Sequence, residues 1–228
     1  PIAVHPNRKK AIQALIAHSP SVDLIISDDG LQHLALSRDM EIIVQDLRGV
    51  GNAQVMPAGP LREPVARMKK AHAIVTTVTT LREKMSVPAE SAVRKTDMAL
   101  EICALRNLVS KQSLTVEQFL TQTHLERVAA VAGIGSPERF FNSLHAHGVP
   151  LTLTRALPDH HVFHANSFAG IEADHILITA KDAIKCETLR DSRLWVVEVF
   201  ASFSDPSFED WLSEQLRNLQ SQRYPGVH

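Results

Sequence analysis

The sequence predicts an α/β fold in two lobes, and three observations carry that prediction. Short apolar runs in the first half end in acids or turn residues, as Val22–Ser27 does before Asp28 and Asp29 and Glu41–Asp46 does at its own last residue. A stretch with apolar residues at helical spacing precedes the first of these runs. The second half alternates strand-like and helix-like segments, the pattern of a sheet covered by helices.

In chain order, Ile2-Ala3-Val4 is extended, and Asn7 caps a helix whose apolar positions are Ala11, Ile12, Leu15 and Ile16. Strands are expected at Val22–Ser27, Glu41–Asp46 and Ala73–Thr77, the first two as sheet neighbours. Residues 47–66 hold glycines and prolines without a period and read as a long loop, a kind of segment that is often functional. Ala66–Lys70 is a short helix, and another is expected around Leu81–Met85. Beyond residue 98, strands are expected at Met98–Leu105, Val128–Ala132, Leu151–Leu153, His175–Thr179 and Leu194–Val199. Helices are expected at Val116–Gln122 behind Thr115, after Ser136-Pro137-Glu138, at Asn166–Ala173, at Lys181–Leu189 and at Phe208–Gln222. The expected lobes are residues 1–105 and 106–228, with the last helix packing back on the first lobe.

Composition narrows the class. The chain has 228 residues, 44% hydrophobic and 21% charged, and a formal net charge of -1. That is an ordinary globular balance without the basic excess of a nucleic-acid binder. No apolar run is long enough to span a bilayer as a helix. The two cysteines, Cys103 and Cys186, have no metal-ligand spacing and are expected as buried reduced thiols in a reducing, cytoplasmic compartment.

Five motifs carry candidate chemistry. Carboxylates at the ends of apolar strands, here Asp28, Asp29 and Asp46, are placed to hold Mg²⁺, though Asp-Gly is also ordinary turn chemistry. In PAGPLREP, Arg62 and Glu63 lie on a proline-stiffened loop; arginine can clamp phosphate and glutamate can bind a metal, or the two can form an ion pair within the loop. LPDHHVFH offers Asp159, His160, His161 and His164 for a metal or for a general base oriented by a carboxylate, against the reading of an exposed polar loop. Thr179, Lys181 and Lys185 can meet phosphate or simply cap and solvate a helix. The glycines of GIGSPERF precede a helix N-terminus. The chain contains no G-x-x-x-x-G-K-[ST] phosphate loop.

Taken together, SDDGLQHLALSRD (27–39), VGNAQVMPAGPLREP (50–64), AGIGSPERFF (132–141), LPDHHVF (157–163) and TAKDAIKC (179–186) resemble the tetraacyldisaccharide 4'-kinase family in order and spacing. The resemblance runs over nearly the whole chain. It implies a P-loop NTPase-like, Rossmann-type sheet lobe, incomplete here, with a second α/β lobe. It implies a kinase that uses ATP as co-substrate and Mg²⁺ to phosphorylate the 4'-hydroxyl of a tetraacylated glucosamine disaccharide 1-phosphate in lipid A biosynthesis. The enzyme would be peripheral on the cytoplasmic face of the bacterial inner membrane. Residue by residue, it implies Asp28 and Asp29 as paired catalytic acids, Gln32 as a nearby substrate- or phosphate-side amide, and Glu63 with Asp28 on the metal side. His160 falls on proton abstraction and is preferred to His161 because it directly follows Asp159; the charge needs of phosphoryl transfer put Arg62 on phosphate.

The phosphate loop of the family, its membrane-meeting helix and the aspartate that works with the histidine are expected ahead of Pro1, so ATP would be bound through that segment. Leu31, Ala53-Gln54 and Ala180 depart from the usual pattern, and Ala180 leaves the role of the Thr179–Lys185 motif open. The competing expectations are a metal-dependent hydrolase built on Asp28, Asp29, His160, His161 and His164, and a non-catalytic fragment.

Overall fold

The computed structural model describes residues 1–81 and 93–223. In chain order the elements are α1 (Arg8–His18), β1 (Ile42–Asp46), β2 (Ala73–Thr77), β3 (Arg94–Asn107), β4 (Ser113–Leu114), α2 (Val116–Gln122), β5 (Val128–Ala132), α3 (Pro137–Ala146), β6 (Leu151–Ala156), β7 (His175–Thr179), α4 (Ala180–Cys186), β8 (Leu194–Phe203) and α5 (Phe208–Arg223). Short 3₁₀ segments occupy Val65–Lys70 and Ala165–Phe168. The helix expected around Leu81–Met85 lies outside the described residues, Leu81 apart.

The described chain forms two compact units. One comprises residues 1–76, 93–96 and 207–223, and the other residues 77–81 and 97–206. Residue 105, the expected lobe boundary, lies inside β3, and α5 belongs with the first unit.

In the first unit, α1 starts where Asn7 accepts hydrogen bonds from the amides of Lys9 and Lys10. β1 and β2 are neighbours, and Ala71, Ile74 and Val93 form a small core with Ile43 and Met68 against it. The expected strand Val22–Ser27 does not form; that segment is irregular, with Leu24 51% and Ile26 86% exposed. β-propensity measures how a residue packs against strand neighbours. The apolar run Leu24-Ile25-Ile26 has the composition of a strand and lacks that packing among the described residues.

The second unit is a sheet in the order β3-β8-β7-β5-β6, with β4 on β3. β8, β7, β5 and β6 run parallel and β3 is antiparallel to β8. Parallel strands need cover on both faces, and period-two alternation supplies it. Val128, Ala130, Ala132 and Leu177 pack with Phe119 of α2 and Phe141 and Leu144 of α3. Ala129, Val131, Ile176 and Ile178 pack with Ala183 and Cys186 of α4 and with Phe168. β5 and β7 are adjacent, yet the helices that follow them serve different cores, α3 one and α4 the other. The carboxyl ends of β5 and β7 therefore flank a topological switch point, where open α/β sheets bind ligands.

Local chemistry decided several elements. Thr115 forms a capping box with Gln118 at α2. Pro137 opens α3, but the Ser136 side chain makes no cap hydrogen bond. The helix expected at Asn166–Ala173 is only the 3₁₀ turn Ala165–Phe168, because Gly170 adopts φ +71° directly after it, a conformation a helix cannot continue through. Cys186 is buried as expected; Cys103 is exposed, since it lies on β3 beside the bulge at Ile102/Ala104 that breaks the strand's inward–outward alternation.

Candidate functional site

The first unit joins two of the motifs. The DDGLQH turn is held from both sides through its backbone: Arg38 donates to the carbonyls of Gly30 at 2.7 Å and Leu31 at 3.2 Å, and Arg8 of α1 donates to the Asp28 carbonyl at 3.3 Å. Gly30 packs closely there: a Cβ would lie 2.6 Å from Ser27 Oγ and 3.1 Å from Ser27 Cβ, so the Ser27 side chain would have to turn away. The PAGPLREP loop is closed by hydrogen bonds from Met56 N–H to the Leu61 carbonyl and from Leu61 N–H to the Gln54 carbonyl. Gly59 allows this closure, since a Cβ on it would come within 2.4 Å of the Gln54 carbonyl.

The two loops then meet through side chains. Gln32 donates to Glu63 Oε1 at 2.9 Å. Arg62 donates to Gln32 Oε1 at 3.4 Å and to Asp29 Oδ2 at 3.5 Å. Arg62 and Glu63 thus reach the DDGLQH turn, and the ion pair within the loop is not what holds them. Glu63 also lies 3.4 Å from Arg67, Arg67 pairs with Glu41 at 2.6 Å, and Arg38 pairs with Glu41 at 2.7 Å. Glu41 thereby links the arginine that holds the DDG turn to the arginine that touches Glu63. Burial alone would raise the Glu41 pKa; Arg67 and Arg38 outweigh it and hold the carboxyl below its ordinary value.

Asp46 has another role. Its carboxylate accepts from the backbone N–H of Arg48 at 2.9 Å and from the Arg48 guanidinium at 2.6 Å. Asp46 thus joins Arg48 in a turn, the structural alternative for that acid.

In the second unit, the Asp159–His164 segment lies over the carboxyl ends of β5 and β7. Asp159 Oδ1 accepts from the His160 amide at 2.9 Å and from Lys181 Nζ at 3.4 Å. His160 Nε2 lies 3.7 Å from Asp159 Oδ2, with the His160 side chain 80% exposed. Desolvation would raise the Asp159 pKa; the Lys181 ammonium and the His160 amide prevail and keep it below the ordinary aspartate value. His161 is engaged instead, 3.0 Å from Ser167 Oγ and edge-on to Phe163. The His164 amide also donates to Ser167.

Asp29 at φ 46° and His160 at φ 61° both occupy the left-handed region, as do Ala53 and Lys111. Such residues gather at functional sites, and Asp and His tolerate the region better than most. Sequence patterning gave no sign of the Glu41 link, in a stretch that reads as an ordinary strand, or of the burial of Asp182 described below, although the TAKDAIKC motif stands out through Thr179, Lys181 and Lys185.

The donors at Asp28, Asp29, Gln32 and Glu63 are all oxygen, the set that suits Mg²⁺. Among the described residues no three His, Cys, Asp or Glu side chains converge as a metal cage. Nothing in the described residues supports the closed metal centre of the hydrolase reading.

The model of the family described as tetraacyldisaccharide-1-P 4'-kinase matches residues 1–217. The chain belongs to this family. It is 49% identical over 219 residues to a tetraacyldisaccharide 4'-kinase of Bordetella parapertussis, covering 96% of this chain and 62% of that protein. It is 42% identical over 227 residues to one from Herminiimonas arsenicoxydans, covering 95% of this chain and 62% of that protein. The chain therefore spans less than two thirds of these kinases. A crystal structure of LpxK from Aquifex aeolicus in complex with ATP superposes with a TM-score of 0.68 at 24% identity, covering 92% of this chain and 61% of that one. The α/β fold expected from the resemblance is thus the fold of the kinase family.

Proposed function

We propose that this chain carries the acceptor-side and metal-side residues of an ATP-dependent kinase that phosphorylates the 4'-hydroxyl of a tetraacylated glucosamine disaccharide 1-phosphate in lipid A biosynthesis. Family membership supports the reaction class. The observation that carries the site is the joining of DDGLQH to PLREP through Gln32, Glu63, Arg62 and Asp29.

Phosphoryl transfer asks for positioning and charge neutralisation rather than covalent chemistry by the protein. The sugar oxygen bonds to the γ-phosphorus, the bond from that phosphorus to the ADP oxygen breaks, and the hydroxyl proton must leave. His160 is the group for that proton. It is exposed and beside Asp159, whereas the ring of His161 is taken up by Ser167 and Phe163. Asp159 stays ionised and stabilises the imidazolium that forms. Arg62 supplies positive charge for phosphoryl oxygens. Mg²⁺, where bound, would neutralise phosphate charge, with Asp28 and Glu63 as its protein ligands and Asp29 and Gln32 beside them. No helix among the described residues is long and apolar enough to cross a membrane. In this reading the protein works as a peripheral enzyme on the cytoplasmic face of the inner membrane, on a lipid substrate, with ATP held by the segment the resemblance places ahead of Pro1.

The test joins the N-terminal part of the Bordetella parapertussis relative ahead of Pro1 and follows transfer of labelled γ-phosphate from ATP to the tetraacyldisaccharide 1-phosphate. The joined protein transfers phosphate, the 228-residue chain alone does not, and His160→Gln lowers kcat on the order of 10²–10⁴-fold. A folded joined protein without transfer, or an unchanged kcat in His160→Gln, overturns this reading; transfer by the chain alone overturns the need for the upstream segment.

A further inference from the structure

We infer that α4 is the platform that positions Asp159 and His160, with Lys181 and Asp182 as positioning residues; the inference rests on the reading of His160 as proton acceptor. It gives the Thr179–Lys185 motif a role that neither a phosphate site nor a plain helix cap accounts for.

Asp182 is fully buried. Its Oδ2 accepts from the Thr179 hydroxyl at 2.9 Å and from the backbone N–H of Gly133 at 2.9 Å, and its Oδ1 accepts from Lys185 Nζ at 3.0 Å. Capping α4 needs only the Thr179 hydroxyl, which accepts from the Asp182 amide at 3.1 Å. The bond to Gly133 goes beyond the cap: it reaches the turn after β5, on the neighbouring strand, and fixes that turn from inside the core. A buried charge demands such a full set of partners.

The Asp159–Phe163 segment rests on that turn. A Cβ on Gly133 would lie 3.2 Å from His161 Cβ and from Phe163 Cε2, and one on Gly135 would lie 3.3 Å from Asp159 Oδ2. Both glycines therefore mark a close approach of the segment to the turn. Two more side chains of α4 reach the same segment. Lys181 Nζ meets Asp159 Oδ1 at 3.4 Å, and Lys185 Nζ lies 5.6 Å from the Phe163 ring centroid. One short helix thus holds Asp159, Phe163 and the turn beneath them.

His160 inherits its placement from this arrangement. Its side chain is 80% exposed, its φ is 61°, and its backbone N–H is bound by Asp159 Oδ1. Whatever orients Asp159 orients His160. The Lys181–Asp159 pair is half-exposed and contributes little to stability; what it supplies is direction.

The decisive variant is Lys181→Met, because Lys181 is exposed and its loss leaves the core intact. In the 228-residue chain, carbon-detected NMR follows the Asp159 carboxyl through acid titration. The midpoint rises in Lys181→Met, the His160 ring resonances shift, and the thermal midpoint stays as in the parent. In the joined kinase, Lys181→Met lowers kcat by roughly tenfold to a hundredfold, the scale of a misplaced reacting group, with KM for both substrates unchanged, and Lys181→Arg restores most of the loss. Asp182→Asn, which disturbs the core, is read through the Gly133 amide, whose hydrogen exchange becomes faster. An unmoved Asp159 midpoint with unmoved His160 resonances in folded Lys181→Met overturns the proposal. If that midpoint moves while His160→Gln leaves transfer intact, the platform stands and the reading of His160 as proton acceptor falls.

Discussion

Gln32 donates to Glu63 Oε1 at 2.9 Å although 31 residues separate them. The other end of the same amide faces Arg62, 3.4 Å from its Nη1. One neutral side chain therefore orients two adjacent charged residues of the PLREP loop and ties both to the DDG turn. A partner that orients a metal-binding carboxylate typically accounts for tenfold to a hundredfold in metal affinity or activity. In the joined kinase, Gln32→Ala raises the Mg²⁺ concentration for half-maximal transfer by about tenfold or more, and excess Mg²⁺ recovers much of the rate. Gln32→Glu sets a carboxylate against Glu63 and is worse than Gln32→Ala. A magnesium titration of the three proteins checks the order, and equal half-maximal concentrations would remove Gln32 from the site.

Glu41 provides an acid-sensitive point in the first unit. Its carboxyl is held below its ordinary value of 4.5 because Arg67 and Arg38 outweigh the effect of burial. A carboxyl whose pKa is lowered on folding stabilises the native state above its unfolded pKa, and that contribution is lost as the pH falls through the folded value. The stabilisation from Glu41 is therefore complete at neutral pH and declines below about pH 4.5. Glu41→Gln is less stable than the parent at pH 7, and the difference narrows as the pH drops through this window. Urea unfolding followed at several pH values checks this; a stability gap that widens toward acid contradicts the ion-pair account. Because Arg38 and Arg67 also hold the DDG turn and Glu63, the same substitution raises the Mg²⁺ concentration for half-maximal transfer in the joined kinase.

How much of this was legible depends on whether a residue's role is local or is set by distant chain. The elements of the second unit were legible because their signals are local: Val128–Ala132 is an unbroken apolar run, Thr115 and Gln118 form a capping box, and Pro137 opens α3. Val22–Ser27 was misread because strand formation needs a neighbour, which residue type alone does not supply. Asp28, Asp29, Gln32, Arg62, Glu63 and His160 stood out through motif order, yet nothing in their types indicated that Gln32 would face both Arg62 and Glu63. The roles of Glu41 and Asp182 were not legible for a shared reason. Each is one charged residue whose importance comes from partners far away in sequence or across a sheet, Asp182 even within the TAKDAIKC motif. An acid in the first turn of a helix is ordinarily a favourable dipole interaction at the surface; that Asp182 is buried and reaches Gly133 follows from the adjacency of β5 and β7.

The two cysteines report on the second unit separately. Cys186 is buried on α4, and its thiol pKa is pushed up to about 12, by burial first and then by the nearby Asp182 carboxylate, against the opposing effect of Lys185. The thiolate is the reactive form, so at pH 8 only about one part in 10⁴ of Cys186 would be reactive even with free access. Cys103 is exposed and donates to the Glu198 carbonyl at 3.3 Å. Iodoacetamide at pH 8 therefore modifies Cys103 in the native chain and leaves Cys186 unmodified until the protein unfolds, which peptide mass mapping with and without urea resolves. Asp182→Asn removes one cause of the raised pKa, yet the burial that contributes most remains, so Cys186 stays protected while the fold holds. Labelling of Cys186 in native Asp182→Asn would show that α4 has come away from the sheet. Rapid labelling of Cys186 in the native parent would contradict the packing of α4 against Ile176, Ile178 and Val196.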